Sequence, residues 1–312
     1  LRQPLAERGL AGARWPRDPE DGALRRLVVV RGELRRASRE GGQVVGHDGI
    51  LSRHAERGGP PAADPGGGAR DAAPEAWPRA TLTPMETAAG VMLVVLPVAY
   101  VLVVATLART FDYPGILRRP TDEVLARVRA GGRRLSLLWW AFAMCAVLFV
   151  PAGTLLVASV SQVSGELRTT IVALGVLAAV VQLLGLVRWS FVVPWLAREA
   201  VGASPARAEA IDVAFQSLNR SLGLAVGEHL GYLLTGVWTA LTGAAILAPG
   251  GLPAWLGVLA LPVGAALVVC SAEFVGPLER DGWRFATRLL PIAFAAWCVW
   301  LLAMGVVLLV VR

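Results

Sequence analysis

Beyond residue 84 the chain is written in long apolar runs separated by short polar connections. A helix needs about 20 mostly apolar residues to cross a hydrocarbon core. Six stretches meet that length, at roughly 88–108, 136–160, 170–196, 222–247, 254–275 and 289–311. Each run is continuously apolar, without the period-2 alternation of a membrane barrel strand, so helices are predicted. The lone prolines Pro97, Pro151 and Pro262 are compatible with membrane helices, where neighbouring groups satisfy the freed carbonyls. The expected fold class is all-α: a polytopic transmembrane helix bundle of about six spans, with a disordered N-terminal extension.

Residues 1–84 break the pattern. They contain no Met, Phe or Tyr and carry the tracts Gly58-Gly59-Pro60-Pro61 and Pro65-Gly66-Gly67-Gly68. Their one apolar run, Leu27 to Val30, is far too short to span a bilayer. Such a segment cannot bury enough apolar surface to offset its ordering entropy. Disorder is expected, with at most a short helix around Ala23 to Arg36. No apolar run followed by a small-residue cleavage site marks a signal peptide. Met85 is the first methionine and stands just before the first span. Native translation is expected to start there, leaving 85–312 as the six-helix transmembrane domain.

Composition sharpens the membrane reading. The chain is 55% hydrophobic and 17% charged, against about 25% charged in a typical soluble domain. All 30 basic residues are Arg, which fits a GC-rich, bacterial coding sequence. A net charge of +7 and a pI near 10.5 do not point to nucleic acid. Beyond residue 84 the Arg residues sit mainly in short connections, not on a soluble face with aromatics or a known module. They set topology instead. The 109–135 connection carries Arg109, Arg118, Arg119, Arg127, Arg129, Arg133 and Arg134; 197–221 carries Arg198, Arg207 and Arg220; 276–288 carries Arg280, Arg284 and Arg288. On the other side 161–169 offers only Arg168 and 248–253 none. By the positive-inside rule the three Arg-bearing connections are cytoplasmic and both bundle termini face outward, with the bacterial cytoplasmic membrane as the expected location. Thr121 to Ala130 reads as a short amphipathic helix lying along that interface. Thr121 is its N-cap, Asp122 and Glu123 fill its first turn, and Val124, Leu125 and Val128 form its apolar stripe.

Ionisable residues within spans are costly and are functional candidates by default. Four stand out: Arg188, Glu228, His229 and Glu273. Counting along the helices at about 1.5 Å per residue puts Arg188 roughly 12 Å from the cytoplasmic end, and Glu228 and His229 roughly 9–10 Å. Glu273 lies close to the end of its span. Tyr232 follows Glu228 by one helical turn and belongs to the same polar cluster. Unpaired burial is expensive, so an Arg188–Glu228 or Arg188–Glu273 contact is expected. Three readings stay open: a structural ion pair fixing helix register, a proton- or anion-handling site, or snorkelling of Arg188 and Glu273 to the interface.

The fourth run has small residues every fourth position: Gly223, Gly227, Gly231, Thr235, Thr239 and Gly243. This extends GxxxG by several turns and predicts a close helix-packing seam. Cys145, Cys270 and Cys298 lie inside apolar runs without CxxC spacing and read as small hydrophobes. Adjacent Glu228 and His229 point about 100° apart, unlike the ligands of HExxH. Walker A, GxSxG and GxGxxG motifs are missing. No catalytic residue, metal or cofactor is expected.

The runs Arg188-Trp-Ser-Phe-Val-Val-Pro-Trp-Leu-Ala-Arg198, Val226-Gly-Glu-His-Leu-Gly-Tyr232 and Leu252-Pro-Ala-Trp-Leu-Gly257 resemble a family of bacterial six-helix membrane proteins, domain of unknown function 4386. The resemblance covers about residues 85–312 and implies a fold without a settled biochemical role. Three functions are weighed. The first is a non-enzymatic membrane scaffold, regulator or accessory protein. The second is a small-solute or proton-coupled permease using Arg188, Glu228 and His229. The third is an intramembrane enzyme with Glu228 and His229 as acid and base. Expected partners are the lipid bilayer and a second copy or another membrane protein, with no nucleic acid.

Overall fold

Thr83 opens the bundle as a helix cap. Its hydroxyl accepts from the Glu86 amide at 3.2 Å, and the Glu86 carboxylate accepts from the Thr83 amide at 3.1 Å. Pro84 fills the first turn, where its missing N–H costs nothing. The computed structural model describes residues 83–160, 163–248 and 251–310, all within the unit Pro74–Arg312. The disorder and short helix expected of the polar extension fall on residues 1–82, outside the described residues.

The elements are α1 Pro84–Phe111, α2 Thr121–Ser159, α3 Gly165–Glu199, α4 Pro205–Leu218, a π-helical segment Asn219–Leu230, α5 Gly231–Ile246, α6 Ala254–Ser271 and α7 Arg284–Val310. Short 3-10 turns stand at Gly115–Arg118 and Gly276–Leu278. Among the described residues no strand occurs. α1, α2, α3, α6 and α7 are long and apolar enough to cross a membrane. The sixth crossing is composite. The predicted fourth span divides into the π segment and the 16-residue α5, and it continues back into α4 without a break.

Two local readings change. The 197–221 connection contains a full helix, α4, capped by the Ser204 hydroxyl with Pro205 at its start. Thr121 is not an N-cap: Pro120 occupies that position, and the Thr121 side chain is engaged elsewhere. Its hydroxyl donates to Asp212 and accepts from Gln216 Nε2 at 3.0 Å, both on α4. The stripe Val124, Leu125 and Val128 is buried because it packs under α4 and the end of α1, not simply along a lipid interface. The helix then bends at Gly132, whose φ of 52° lies in the left-handed region, where glycine alone is unstrained. Beyond that bend α2 enters the bundle.

Packing closes the helices into a ring, in the order α1, α2, α3, α5, α6, α7 and back to α1. Lipid tails are as apolar as the helix faces, so association must come from close van der Waals fit. Glycines supply that fit at three joints. On α5 and α6, a Cβ at Gly236 would stand 2.6 Å from the Gly264 carbonyl, and one at Gly257 2.7 Å from the Gly243 carbonyl. On α1 and α7, a Cβ at Gly305 would stand 2.8 Å from the Gly90 carbonyl. On α3 and the π segment, a Cβ at Gly185 would stand 2.7 Å from the Gly227 Cα. The period-4 seam is therefore shared among partners. Gly223, Gly227 and Gly231 meet α3, and Gly243 meets α6. Thr235 and Thr239 contribute hydrogen bonds instead, accepting from Gln182 Nε2 at 3.0 Å and Trp297 Nε1 at 3.1 Å.

The ring interior is filled by two apolar clusters. One, around Trp238, Phe149, Trp297 and Trp300, occupies the half near the α5–α6 turn. Trp238 lies between Gly153 and Gly175 of α2 and α3. The second, around Trp139, Trp189, Phe111 and Phe215, occupies the other half. At that second end the three Arg-bearing connections are tied together. Arg118 pairs with Glu273 at 3.5 Å, Arg220 pairs with Glu279, and Arg129 donates to the Ala197 carbonyl at 3.0 Å. At the opposite end Arg168 donates to the Val157 and Val160 carbonyls at 2.8 and 3.0 Å, closing the C-terminus of α2.

Gly264→Ala is expected to lower stability by about 1–3 kcal/mol, the cost of overpacking against backbone. Reversible unfolding in mixed detergent micelles measures it. Gly165→Ala meets nothing within 4 Å and is expected to change stability by less than about 0.5 kcal/mol. Equal losses in the two variants would contradict the seam.

Candidate functional site

The π segment is the local feature that builds the site. A π turn is wider than an α turn and is found most often where a helix serves a function. Here it extends over 12 residues and turns Gly223 and Gly227 toward α3. With no side chains at Gly185 and Gly227, the two backbones touch. Gly223 makes room for one end of a long side chain: a Cβ there would stand 2.5 Å from Arg188 Nη2.

Arg188 fills that room. The residue is 6% exposed. It donates to the Gly185 carbonyl and, at 3.1 Å, to Asn219 Oδ1. The guanidinium also lies 5.4 Å from the Trp189 ring centre, a cation–π contact. Trp189 stacks in turn on Trp139 at 4.7 Å, and Phe111 meets both edge-on. The charge is thus oriented by neutral carbonyls and aromatic faces.

A cavity of about 70 Å³, measured over positions open to water-sized molecules, adjoins this arginine. That is room for a few waters or a small solute, since one water needs about 10–15 Å³ on this measure. Its wall takes Gln182, Gly185 and Arg188 from α3, Gly223, Gly227 and Glu228 from the π segment, and Tyr232 from α5. Leu186 and Trp189 of α3, Tyr100 of α1, Trp139 and Phe142 of α2, Phe294 of α7, and Tyr113 and Leu117 of the α1–α2 connection complete it. Glu228 accepts no hydrogen bond from the described residues and makes no ion pair with Arg188 within 4.0 Å. The buried indole N–H of Trp139 has no acceptor among them either.

The sequence-predicted cluster therefore divides. Arg188, Glu228 and Tyr232 share the cavity wall. His229 turns away, as adjacency to Glu228 requires, and its Nδ1 donates to the Ser271 carbonyl at 2.8 Å, capping the end of α6. Glu273 is buried but lies at the connection, accepting from Thr287 Oγ1 at 2.7 Å and pairing with Arg118. The expected Arg188–Glu228 or Arg188–Glu273 ion pair is not formed. Asn219 and Gly185 take up two of the guanidinium's hydrogen bonds, and Arg118 holds the buried Glu273 at the connection. Sequence reasoning missed Gln182 and Asn219. Gln182 was findable, as an amide inside a span two turns from Arg188. Apart from Tyr232, the lining aromatic residues gave no signal, because inside an apolar run a lining aromatic and a core aromatic look alike.

These features define a class: a multi-pass integral membrane protein built as a ring of six helices with a partly polar cavity in an otherwise apolar interior. The profile of the family described as Domain of unknown function (DUF4386) matches residues 88–305, and the chain belongs to that family. No curated protein and no solved structure matches the chain.

Gly185→Ala sets a methyl against the Gly227 backbone and is expected to cost about 1–3 kcal/mol in micelle unfolding. Gly223→Ala meets the movable end of Arg188 and is expected to cost less than half as much. Equal costs would mean that the guanidinium cannot shift.

Proposed function

We propose that the chain is a membrane-embedded protein that binds a small polar solute between α3, the π segment and α7 and passes it across the bilayer. One observation carries this reading: Arg188 and Glu228 stand on the wall of one intramembrane cavity without neutralising each other directly. Ionisable groups are kept in membrane interiors where they serve a path or a ligand. A scaffold or accessory protein needs a packing surface and no charged cavity. An acid–base pair of Glu228 and His229 is disfavoured, because the His229 ring is held at the end of α6.

The location that fits is the bacterial cytoplasmic membrane, with the three Arg-bearing connections inside and both bundle ends outside. The ties joining those connections at one end of the bundle support a common side for them, and the positive-inside rule names that side. A membrane-impermeant maleimide tests it. The native cysteines are buried, so a single exposed cysteine reports alone. Val201→Cys is expected to label only in inverted vesicles and Gly165→Cys only in intact cells. The reverse pattern would invert the topology.

For passage itself, stopped-flow swelling of proteoliposomes in small polar solutes is the measurement. Wild-type protein is expected to speed equilibration over empty vesicles. Glu228→Gln should lose most of that gain, by about 10-fold, the scale of one charged hydrogen bond. Wild type, variant and empty vesicles behaving alike would overturn the reading.

A further inference from the structure

We infer that the cavity takes a small zwitterion, a solute or headgroup with an anionic group for Arg188 and an ammonium for Glu228. The inference deepens the binding role proposed above and rests on it. A guanidinium has five N–H groups, and Arg188 places hydrogen bonds only on the Gly185 carbonyl and Asn219 Oδ1. Glu228 accepts none from the described residues. Donors without acceptors and acceptors without donors thus line one cavity whose two charges cancel. A simple anion would satisfy Arg188 and face the Glu228 carboxylate. A simple cation would satisfy Glu228 and face the guanidinium. A neutral amide could bridge the two but would forgo charge-assisted bonds at both ends. A molecule carrying both charges answers both groups and adds no net charge to a lipid-embedded site. The remaining wall suits it as well. Tyr100, Tyr232 and Phe294 are among the residues lining the cavity, and aromatic rings attract an ammonium group.

Free amino carboxylates and the headgroup of an ethanolamine phospholipid share this chemistry. The full chain in phosphatidylglycerol nanodiscs is titrated calorimetrically with glycine, β-alanine and 4-aminobutyrate. Acetate, propionate and butyrate are the matched anions, methylamine, ethylamine and propylamine the matched cations, and acetamide the neutral probe. At least one amino acid is expected to bind about 10-fold or more tighter than its matched anion and amine, the scale of one charged hydrogen bond. Glu228→Gln should remove that advantage while leaving carboxylate binding in place. Gly223→Ala, which displaces the guanidinium, should weaken every carboxylate-bearing probe. Repeating the titration with phosphatidylethanolamine in the disc separates the sources. Loss of the free probe's binding assigns the site to the headgroup, retention assigns it to a soluble solute, and either outcome supports the zwitterion. A carboxylate or acetamide binding as tightly as the amino acids overturns the inference and leaves the binding role standing. No binding by any probe, with ethanolamine lipid giving no stabilisation, overturns the inference; flat swelling traces alongside would remove the proposed function too.

Discussion

A guanidinium buried in a lipid-embedded bundle without an acid against it is the constraint on which the inner half of this protein depends. Arg188 cannot reach water cheaply, and an ion stripped of water costs several kcal/mol unless its hydrogens are taken up. Each neighbour answers part of that demand. Gly185 lends a carbonyl that its own helix does not monopolise, Asn219 lends an amide oxygen from the start of the π segment, and Trp189 lends an aromatic face. Gly223 gives up a side chain so that the guanidinium fits. The glycines of the fourth run are therefore of two kinds. Gly227 and Gly243 let backbones touch, whereas Gly223 makes space for a charge.

The ring follows from the same economy. Without a hydrophobic drive between helices in lipid, only close contact holds neighbours together. The three glycine joints fix α1 to α7, α3 to the π segment and α5 to α6. The remaining neighbours pack through larger side chains, with Trp238 set between Gly153 and Gly175 as the largest of them. A ring pinned at three joints can leave an unfilled space between them, where a bundle packed uniformly by leucine would close it. The cavity lies at the joint where the helix is widened into π turns.

Much of the fold was legible because membrane helices are governed by length and apolarity alone. The runs beginning near 88, 136, 170, 254 and 289 all became spanning helices. The fourth was harder, since hydropathy sees composition and not winding; Asn219–Leu230 reads the same whether its turns are α or π. The small-residue period located the seam but not its partners, because residues four apart drift around a helix and face different neighbours in turn. That drift is why Gly236, outside the period, meets Gly264 while Thr235, inside it, bonds to Gln182. Of the polar cluster, depth was readable but direction was not. Residues 228 and 229 share a depth, yet one lines the cavity and the other caps α6. The pairing of Glu273 depended on Arg118, 155 positions away, a separation at which one sequence carries no pairing signal.

The two halves of the interior also differ in how they are closed. Toward the α5–α6 turn the centre is closed by interlocked tryptophans, with Trp297 bonded to Thr239 and Trp300 bonded to the Leu256 carbonyl at 2.9 Å. Parting those helices would break buried hydrogen bonds and close packing together. Toward the Arg-rich end the cavity is covered by the α1–α2 connection, which contributes Tyr113 and Leu117 to its wall. That connection is tied across the bundle by Arg118, whose side chain is 66% exposed. Its partner Glu273 is buried, with a side chain only 6% exposed, so breaking this pair would leave a buried carboxylate without its cation. Both ends are therefore held by buried polar contacts, tryptophan hydrogen bonds at one and the Arg118–Glu273 pair at the other.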